Sequence, residues 1–250
     1  MSDLAVHVHE DRADAGRAAG LAVADTLRRL LADKPVVRAA FAAAPSQDEL
    51  LATLSTVDGI DWDRIEAYQL DDYAGLPVTH PGTFASYLRG HLFDAVRPGQ
   101  VRLMAPGDDP DGAADRYGRL LGAAPLDLVC LGIGENGHLA FNDPPDADPA
   151  DPHPVRVVRL DERSRQQQVN DGCFASLAEV PTTAVTLTLP TLLSARYLVC
   201  VVPGERKRAA VAAALTGPIG PACPASYLRT HPAAALYLDT AAAGEPACSA

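Results

Sequence analysis

The stretch from Leu126 to Pro145 limits the fold more than any other part of the chain. It opens as an apolar run through Leu131, breaks into Gly132, Gly134 and Gly137 with polar residues between them, and closes on Pro144-Pro145. A continuous apolar run bounded by glycine predicts a strand buried on both faces, which belongs in a parallel sheet covered by helices. In such sheets ligands bind outside the carboxyl ends of the strands, where the strand order reverses. His138 and Asp143 therefore fall where chemistry is expected. Gly132-x-Gly134-x-x-Gly137 also spells a dinucleotide fingerprint, but that motif needs a long helix opening at its last glycine. Pro144 and Pro145 follow too soon for one, and Asp143-Pro144 is a turn signal.

The remaining chain alternates strand and helix patterns. Leu4–His9 alternates apolar and polar residues and predicts an edge strand with His7 and His9 on one face. Asp11–Leu31 carries a helical stripe of Val23, Leu27, Leu30 and Leu31, and Pro35 ends it. Strands are predicted at Val36–Ala44, Ile65–Leu70, Val155–Leu160, Tyr197–Val202 and Ala234–Leu238, with a half-buried one over Val185, Leu187 and Leu189. Ser46-Gln47-Asp48-Glu49 has the letters of a capping box, so a helix is expected directly after the second strand. Further helices are expected where His80–Phe84 leads into one through about Phe93, and at Tyr117–Leu121, Ser164–Asn170 and Ala209–Leu215; Asp108–Asp115 and Asp146–Pro154 are expected as loops. No internal repeat or linker divides the chain. The expectation is one domain over residues 1–250: a single-domain, three-layer, largely parallel doubly wound α/β sheet.

Composition removes several function classes. The net charge of −11 and a pI near 5.0 oppose binding to nucleic acid or an anionic membrane. No apolar stretch reaches the roughly 18 residues of a membrane span. The 5 cysteines show no metal-ligand spacing, and their odd number without a secretory leader predicts a reducing cytoplasm. No metal or other cofactor is expected.

Three clusters converge at one sheet edge if the strands are parallel: Asp71/Asp72, Glu135–Asp143 and Arg206–Arg208. Cations at a helix start oppose its dipole, and a bound anion beside them would repair that conflict. Carboxylate, imidazole and an anion clamp together suit proton transfer on a small phosphorylated molecule.

At these residues the chain resembles a known family. Leu70-Asp71-Asp72-Tyr73-x-Gly75-Leu76, His80-Pro81, Gly132-x-Gly134-x-x-Gly137-His138-x-Ala140-Phe141-Asn142-Asp143-Pro144 and Ser226-x-Leu228-x-x-His231 are similar to the glucosamine-6-phosphate deaminase/isomerase family. That family is similar in fold to 6-phosphogluconolactonases and ribose-5-phosphate isomerase. The resemblance implies that Asp71 is the base at carbon 2 of an opened amino sugar, with Asp72 beside it. It implies that His138 opens the ring, with Asp143 and Asn136 around it. Ser46, Gln47, Gly134, Gly137, Arg165 and Lys207 would bind the sugar phosphate, and the chain could form a homo-oligomer. Three departures stand out. The family's glycine-rich loop appears as Ala43–Asp48, its Asp two places before the histidine is Asn136, and an expected arginine falls at Asn170, near Arg163 and Arg165. They bear on deamination more than on proton abstraction by Asp71. Alternatives are a dehydratase (lyase) expelling the carbon-3 hydroxyl of N-acetylglucosamine 6-phosphate, a 6-phosphogluconolactonase, and a non-catalytic sugar-phosphate sensor.

Overall fold

The computed structural model describes residues 4–244; Cys248 lies outside them. In chain order the elements are β1 (Ala5–His9), α1 (Arg12–Asp33), β2 (Val37–Phe41), α2 (Asp48–Thr56), β3 (Ile65–Gln69) and β4 (Asp71–Tyr73). Next come α3 (Phe84–Leu88), continued by a π-helical turn into α4 (Asp94–Val96), then β5 (Gln100–Arg102), α5 (Pro110–Leu121) and β6 (Leu128–Leu131). The chain ends with β7 (Val155–Arg159), α6 (Glu162–Asn170), β8 (Thr183–Leu187), α7 (Leu189–Leu193), β9 (Tyr197–Val202), α8 (Arg208–Thr216), β10 (Ala234–Asp239) and α9 (Thr240–Ala243).

A seven-stranded parallel sheet in the order β1-β10-β9-β6-β2-β3-β5 forms the middle layer. From β2 the chain builds outward through β3 and β5, then crosses back to place β6 on the other side of β2. The order reverses there, and the carboxyl ends of β2 and β6 diverge around a crevice. β6 is buried on both faces, as its apolar run predicts. Leu128 and Cys130 pack with Val23 and Leu27 of α1 and Leu50 and Leu54 of α2. Val129 and Leu131 pack with Tyr117 and Leu121 of α5 and Val211 and Ala214 of α8.

The sheet is not parallel throughout. β4, β8 and β7 form a separate three-stranded antiparallel sheet, with Asp71 paired to Thr186 and Val155 to Leu187. The threonines that suggested a solvent face on β8 are buried instead. Thr186 Oγ1 accepts from Phe141 N and donates to Leu187 O, and Thr188 Oγ1 donates to His153 O at 2.8 Å. A hydroxyl with internal partners loses little on burial, so alternation with threonine did not mark exposure.

Local expectations fail where charges imitate loops or caps. The acidic run Asp108–Asp115 is largely helix: Asp109 accepts from Gly112 N at 3.0 Å, Pro110 takes the first helical position, and Asp111 and Asp115 face solvent. The capping box at Ser46 does not form. The chain first makes a 3-10 turn, Pro45–Gln47, before α2 begins at Asp48. Glu49 reaches Arg12 on α1, at 2.7 and 3.0 Å, instead of Ser46. β5, which the sequence pattern left unmarked, is short and only partly buried.

Candidate active site

A pocket lies at the crevice predicted by the strand order. Its walls come from the turn after β2 (Ala42, Ala43, Ala44, Ser46, Gln47) and the loop after β6 (Gly132, Ile133, Gly134, His138, Ala140, Phe141). Asp71 from the start of β4, Phe84 of α3, Gln167 and Gln168 of α6, and Lys207 after β9 complete it. Phe84 and Phe141 stack at 5.7 Å between ring centres, and Tyr73 packs on both. Phe84 and Phe141 give the pocket an apolar wall.

Asp71 and Asp72 are adjacent on β4, so their side chains leave opposite faces. Asp71 lines the pocket, and its carboxylate has no hydrogen bond from any described residue. Burial, reinforced by the charges of Asp72 and Asp143, raises its proton affinity well above that of an ordinary carboxyl. Asp72, expected beside it in the chemistry, instead holds the start of α3. It accepts from Phe84 N at 2.9 Å, Ala85 N at 3.0 Å, Tyr73 N at 2.9 Å and Gln69 Nε2 at 3.0 Å. Free N–H groups at a helix start attract an anion, and here Asp72 supplies it.

The loop after β6 presents His138. Its Nδ1 faces Asn136 Oδ1 at 2.6 Å, Ser164 Oγ at 2.9 Å and Asp143 Oδ1 at 3.0 Å. Asn136 Oδ1 also accepts from His138 N at 3.1 Å, while Asn136 Nδ2 donates to Asp143 Oδ1 at 3.0 Å. Those partners fix which end of the Asn136 amide is oxygen, so Nδ1 must carry the proton in neutral His138. Nε2, without a partner among the described residues, is left to serve the pocket. Gly134 makes this possible, because a Cβ there would lie 2.1 Å from His138 Cε1. Gly137 does not reach the pocket. It adopts φ +88° behind the loop, and a Cβ would lie 2.8 Å from Cys223 Sγ.

Burial alone would raise the Asp143 pKa, but the hydrogen bond and charge of His138, with donors from Ser164 and Asn136, hold it at about 2. A carboxyl depressed on folding stabilises the protein above its unfolded value of 3.8 and loses that contribution as pH falls toward about 2. Asp143→Asn is therefore expected to lower Tm at pH 7. The gap to wild type should narrow as melts are repeated toward pH 2.

Of the basic cluster after β9, only Lys207 enters the pocket. Arg206 turns to Asp171 at 3.1 Å and Glu135 at 3.6 Å, and Arg208 donates to Ala241 O. Lys207 is 8% exposed and has no hydrogen bond or ion pair among the described residues. Burial lowers its pKa, and the more distant Asp171 and Glu135 oppose that shift. A buried ammonium without a counterion is a strong pointer to an anionic ligand. Ser46 and Gln47 also line the pocket, with Gln47 Nε2 held by Val201 O at 3.2 Å and Ser46 Oγ at 3.2 Å.

Arg165, expected at the substrate, is directed away: its guanidinium donates to Leu177 O at 2.6 Å and Val180 O at 2.9 Å, bracing the segment after α6. Asn170 is exposed at the end of α6. The α6 residues that do reach the site are Ser164, Gln167 and Gln168, spaced i, i+3 and i+4 on one face. The run of three glutamines was a visible signal for the last two; nothing in the sequence marked Ser164. Among the described residues no group of three or more His, Cys, Asp or Glu side chains is placed to hold a metal ion, and no helix is long and apolar enough to cross a membrane.

Comparison with known proteins gives the family. The model of the glucosamine-6-phosphate isomerase/6-phosphogluconolactonase family matches residues 10–237. A glucosamine-6-phosphate deaminase of Streptomyces avermitilis is 35% identical over 238 residues, 92% of this chain and 89% of its own. One from an Exiguobacterium species is 39% identical over 188 residues, covering 74% and 72%. A solved monomeric glucosamine-6-phosphate deaminase superposes with a TM-score of 0.88 at 27% identity, over 96% of this chain and 99% of that one. A family match over most of the chain, meeting a buried carboxylate, an oriented imidazole and an unpaired lysine at the sheet's switch point, places this protein in the glucosamine-6-phosphate isomerase/6-phosphogluconolactonase family.

Proposed function

We propose that the protein is a cofactor-independent enzyme of amino-sugar 6-phosphates, converting glucosamine 6-phosphate and water to fructose 6-phosphate and ammonia. The observation that carries this reading is Asp71, a buried carboxylate with raised proton affinity and no hydrogen-bond donor, in the same pocket as His138. A carboxylate so placed can act as a carbon base: buried and without fixed donors, its ionised form keeps its basicity.

In the proposed sequence, His138 Nε2 takes the proton of the anomeric hydroxyl and returns it to the ring oxygen, opening the sugar. Asp71 then removes the hydrogen on carbon 2, beside the carbonyl, the ammonium substituent passes a proton to the carbonyl oxygen, and Asp71 delivers its proton to carbon 1 of the resulting enolamine. The resulting iminium at carbon 2 takes up water and releases ammonia. The negative potential of Asp71, Asp72 and Asp143 favours an ammonium substituent near the base over a neutral acetamide. Lys207, aided by Ser46 and Gln47, holds the phosphate. Lys207→Ala is expected to raise KM for the phosphorylated sugar about tenfold or more while kcat changes little, since a bond to a charged group contributes about 1.5–3 kcal/mol. An unchanged KM would place the phosphate elsewhere.

One observation favours a second outcome from the same enolisation. Asn136, where the family resemblance places an aspartate, lies between His138 and Asp143 and cannot relay a proton. With an N-acetylated substrate the amide is a poor leaving group, and loss of the carbon-3 hydroxyl would make the enzyme a lyase. Incubation with glucosamine 6-phosphate and with its N-acetyl form separates the two readings. Ammonia with fructose 6-phosphate supports deamination. An unsaturated, ultraviolet-absorbing product from the acetylated sugar supports elimination. Hydrolysis of 6-phosphogluconolactone alone, or a ligand-dependent rise in Tm without turnover, would overturn both.

A further inference from the structure

The geometry points to Ser164 as the residue that positions His138 and locks α6 against the catalytic loop. This rests on the reading of His138 as the pocket's acid–base group. Ser164 is 1% exposed, on the inner face of α6. Its hydroxyl donates to Asp143 Oδ1, and its oxygen stands 2.9 Å from His138 Nδ1. One small side chain thus bridges the imidazole and the carboxylate.

The chemistry of the three oxygens around Nδ1 divides their tasks. One N–H donates well to only one acceptor at a time, and Asn136 Oδ1 is the nearest at 2.6 Å. Asn136 is uncharged, so the positive charge that develops when Nε2 takes a proton is compensated through Asp143. Ser164 ties that carboxylate to the ring edge: its proton goes to Asp143 and its lone pairs face Nδ1–H. Without the hydroxyl, Asp143 Oδ1 keeps only Asn136 Nδ2 as a side-chain donor beside the imidazole, and the ring loses one of the three oxygens fixing its plane.

Ser164 also joins two walls of the pocket. Gln167, one turn along α6, accepts from Glu135 N at 2.9 Å, while Gln167 and Gln168 line the pocket. The contacts of Ser164 with Asp143 and of Gln167 with Glu135 dock α6 across both ends of the loop that carries His138. A ligand touching Gln167 or Gln168 therefore bears on the element that holds the imidazole in register.

The test uses Ser164→Ala and the near-isosteric Ser164→Cys, whose thiol is a weak donor. For each, kcat and KM on glucosamine 6-phosphate are measured, and the His138 Nδ1–H resonance is followed by NMR. Both variants are expected to lose about tenfold or more in kcat with KM within twofold of wild type. The Nδ1–H signal, expected to be sharp and downfield in wild type, should broaden or shift upfield in both variants. Wild-type kcat together with an unmoved Nδ1–H resonance in either variant would overturn the assignment. So would a kcat loss whose resonance stays in place, because that marks a merely structural role. The resonance needs no turnover: if wild type failed on every sugar phosphate the functional reading would fall, and the NMR arm would still decide whether Ser164 positions His138.

Discussion

Asp71→Asn is expected to reduce turnover by about 10²-fold or more while raising Tm at neutral pH. The amide keeps the shape of the carboxylate but cannot take a proton from carbon, and a positioned base contributes about 10²–10⁴-fold. Incorporation of deuterium from heavy water into carbon 1 of the product should fall in parallel. The stability change has the opposite sign for a definite reason. Burial raises the Asp71 pKa well above its unfolded value of 3.8, so the folded protein binds this proton more tightly than the unfolded chain. Stability is therefore favoured at low pH and eroded as pH rises past 3.8 toward the raised folded value. The asparagine carries no charge to bury, so melts at pH 7 should favour the variant, and the advantage should shrink below pH 4. Loss of activity with a gain in stability would mark a group retained for chemistry against the interest of the fold. Wild-type turnover in Asp71→Asn would remove Asp71 from the mechanism.

Gly134→Ala is expected to be nearly as damaging to kcat, although the added methyl carries no chemistry. Its Cβ would stand 2.1–2.3 Å from three atoms of the His138 ring. Something must shift, and the ring is held at Nδ1 by Asn136, Ser164 and Asp143. Moving the ring breaks those bonds, whereas moving the backbone displaces the loop that forms the pocket wall. A displacement of about 1 Å at a catalytic group costs on the order of 10²-fold. The loss should appear in kcat with far-ultraviolet circular dichroism unchanged. A variant with wild-type kcat would show that the ring tolerates another plane, and the geometry assigned to Nε2 would fall with it.

What could be read from the chain follows from which interactions are local. β6 was legible because a run of apolar residues leaves no other place for it, and the clusters Asp71/Asp72, Glu135–Asp143 and Arg206–Arg208 were legible because chemistry-bearing residues gather at strand ends; the choice of Asp71 and Lys207 within them came from the family resemblance. The antiparallel pairing of β4 with β8 was not legible, since period-2 alternation is the same in either pairing direction. Between Asp71 and Asp72 the residues alone did not choose, and only the family resemblance named Asp71: the N–H groups of Phe84 and Ala85 claim Asp72, and no local pattern says so. Arg165 was misread and Ser164 passed over for a related reason. Which face of α6 meets the pocket depends on the loop after β6, and a basic side chain in sequence looks more like a ligand group than a serine one position away.

The strand bearing Asp71 is hydrogen-bonded to β8 in the small sheet, whereas most of the pocket wall hangs from β2, β6 and β9 of the large one. On the proposed mechanism the carbon base and most of the surfaces that would choose its substrate are thus mounted on different sheets, joined where Phe141 N donates to Thr186 Oγ1. Drift in the wall loops can alter which sugar is admitted, or which group departs, without moving the atom that starts the reaction. A scaffold divided this way allows new products to arise by remodelling the entrance while the opening step of the chemistry is inherited intact.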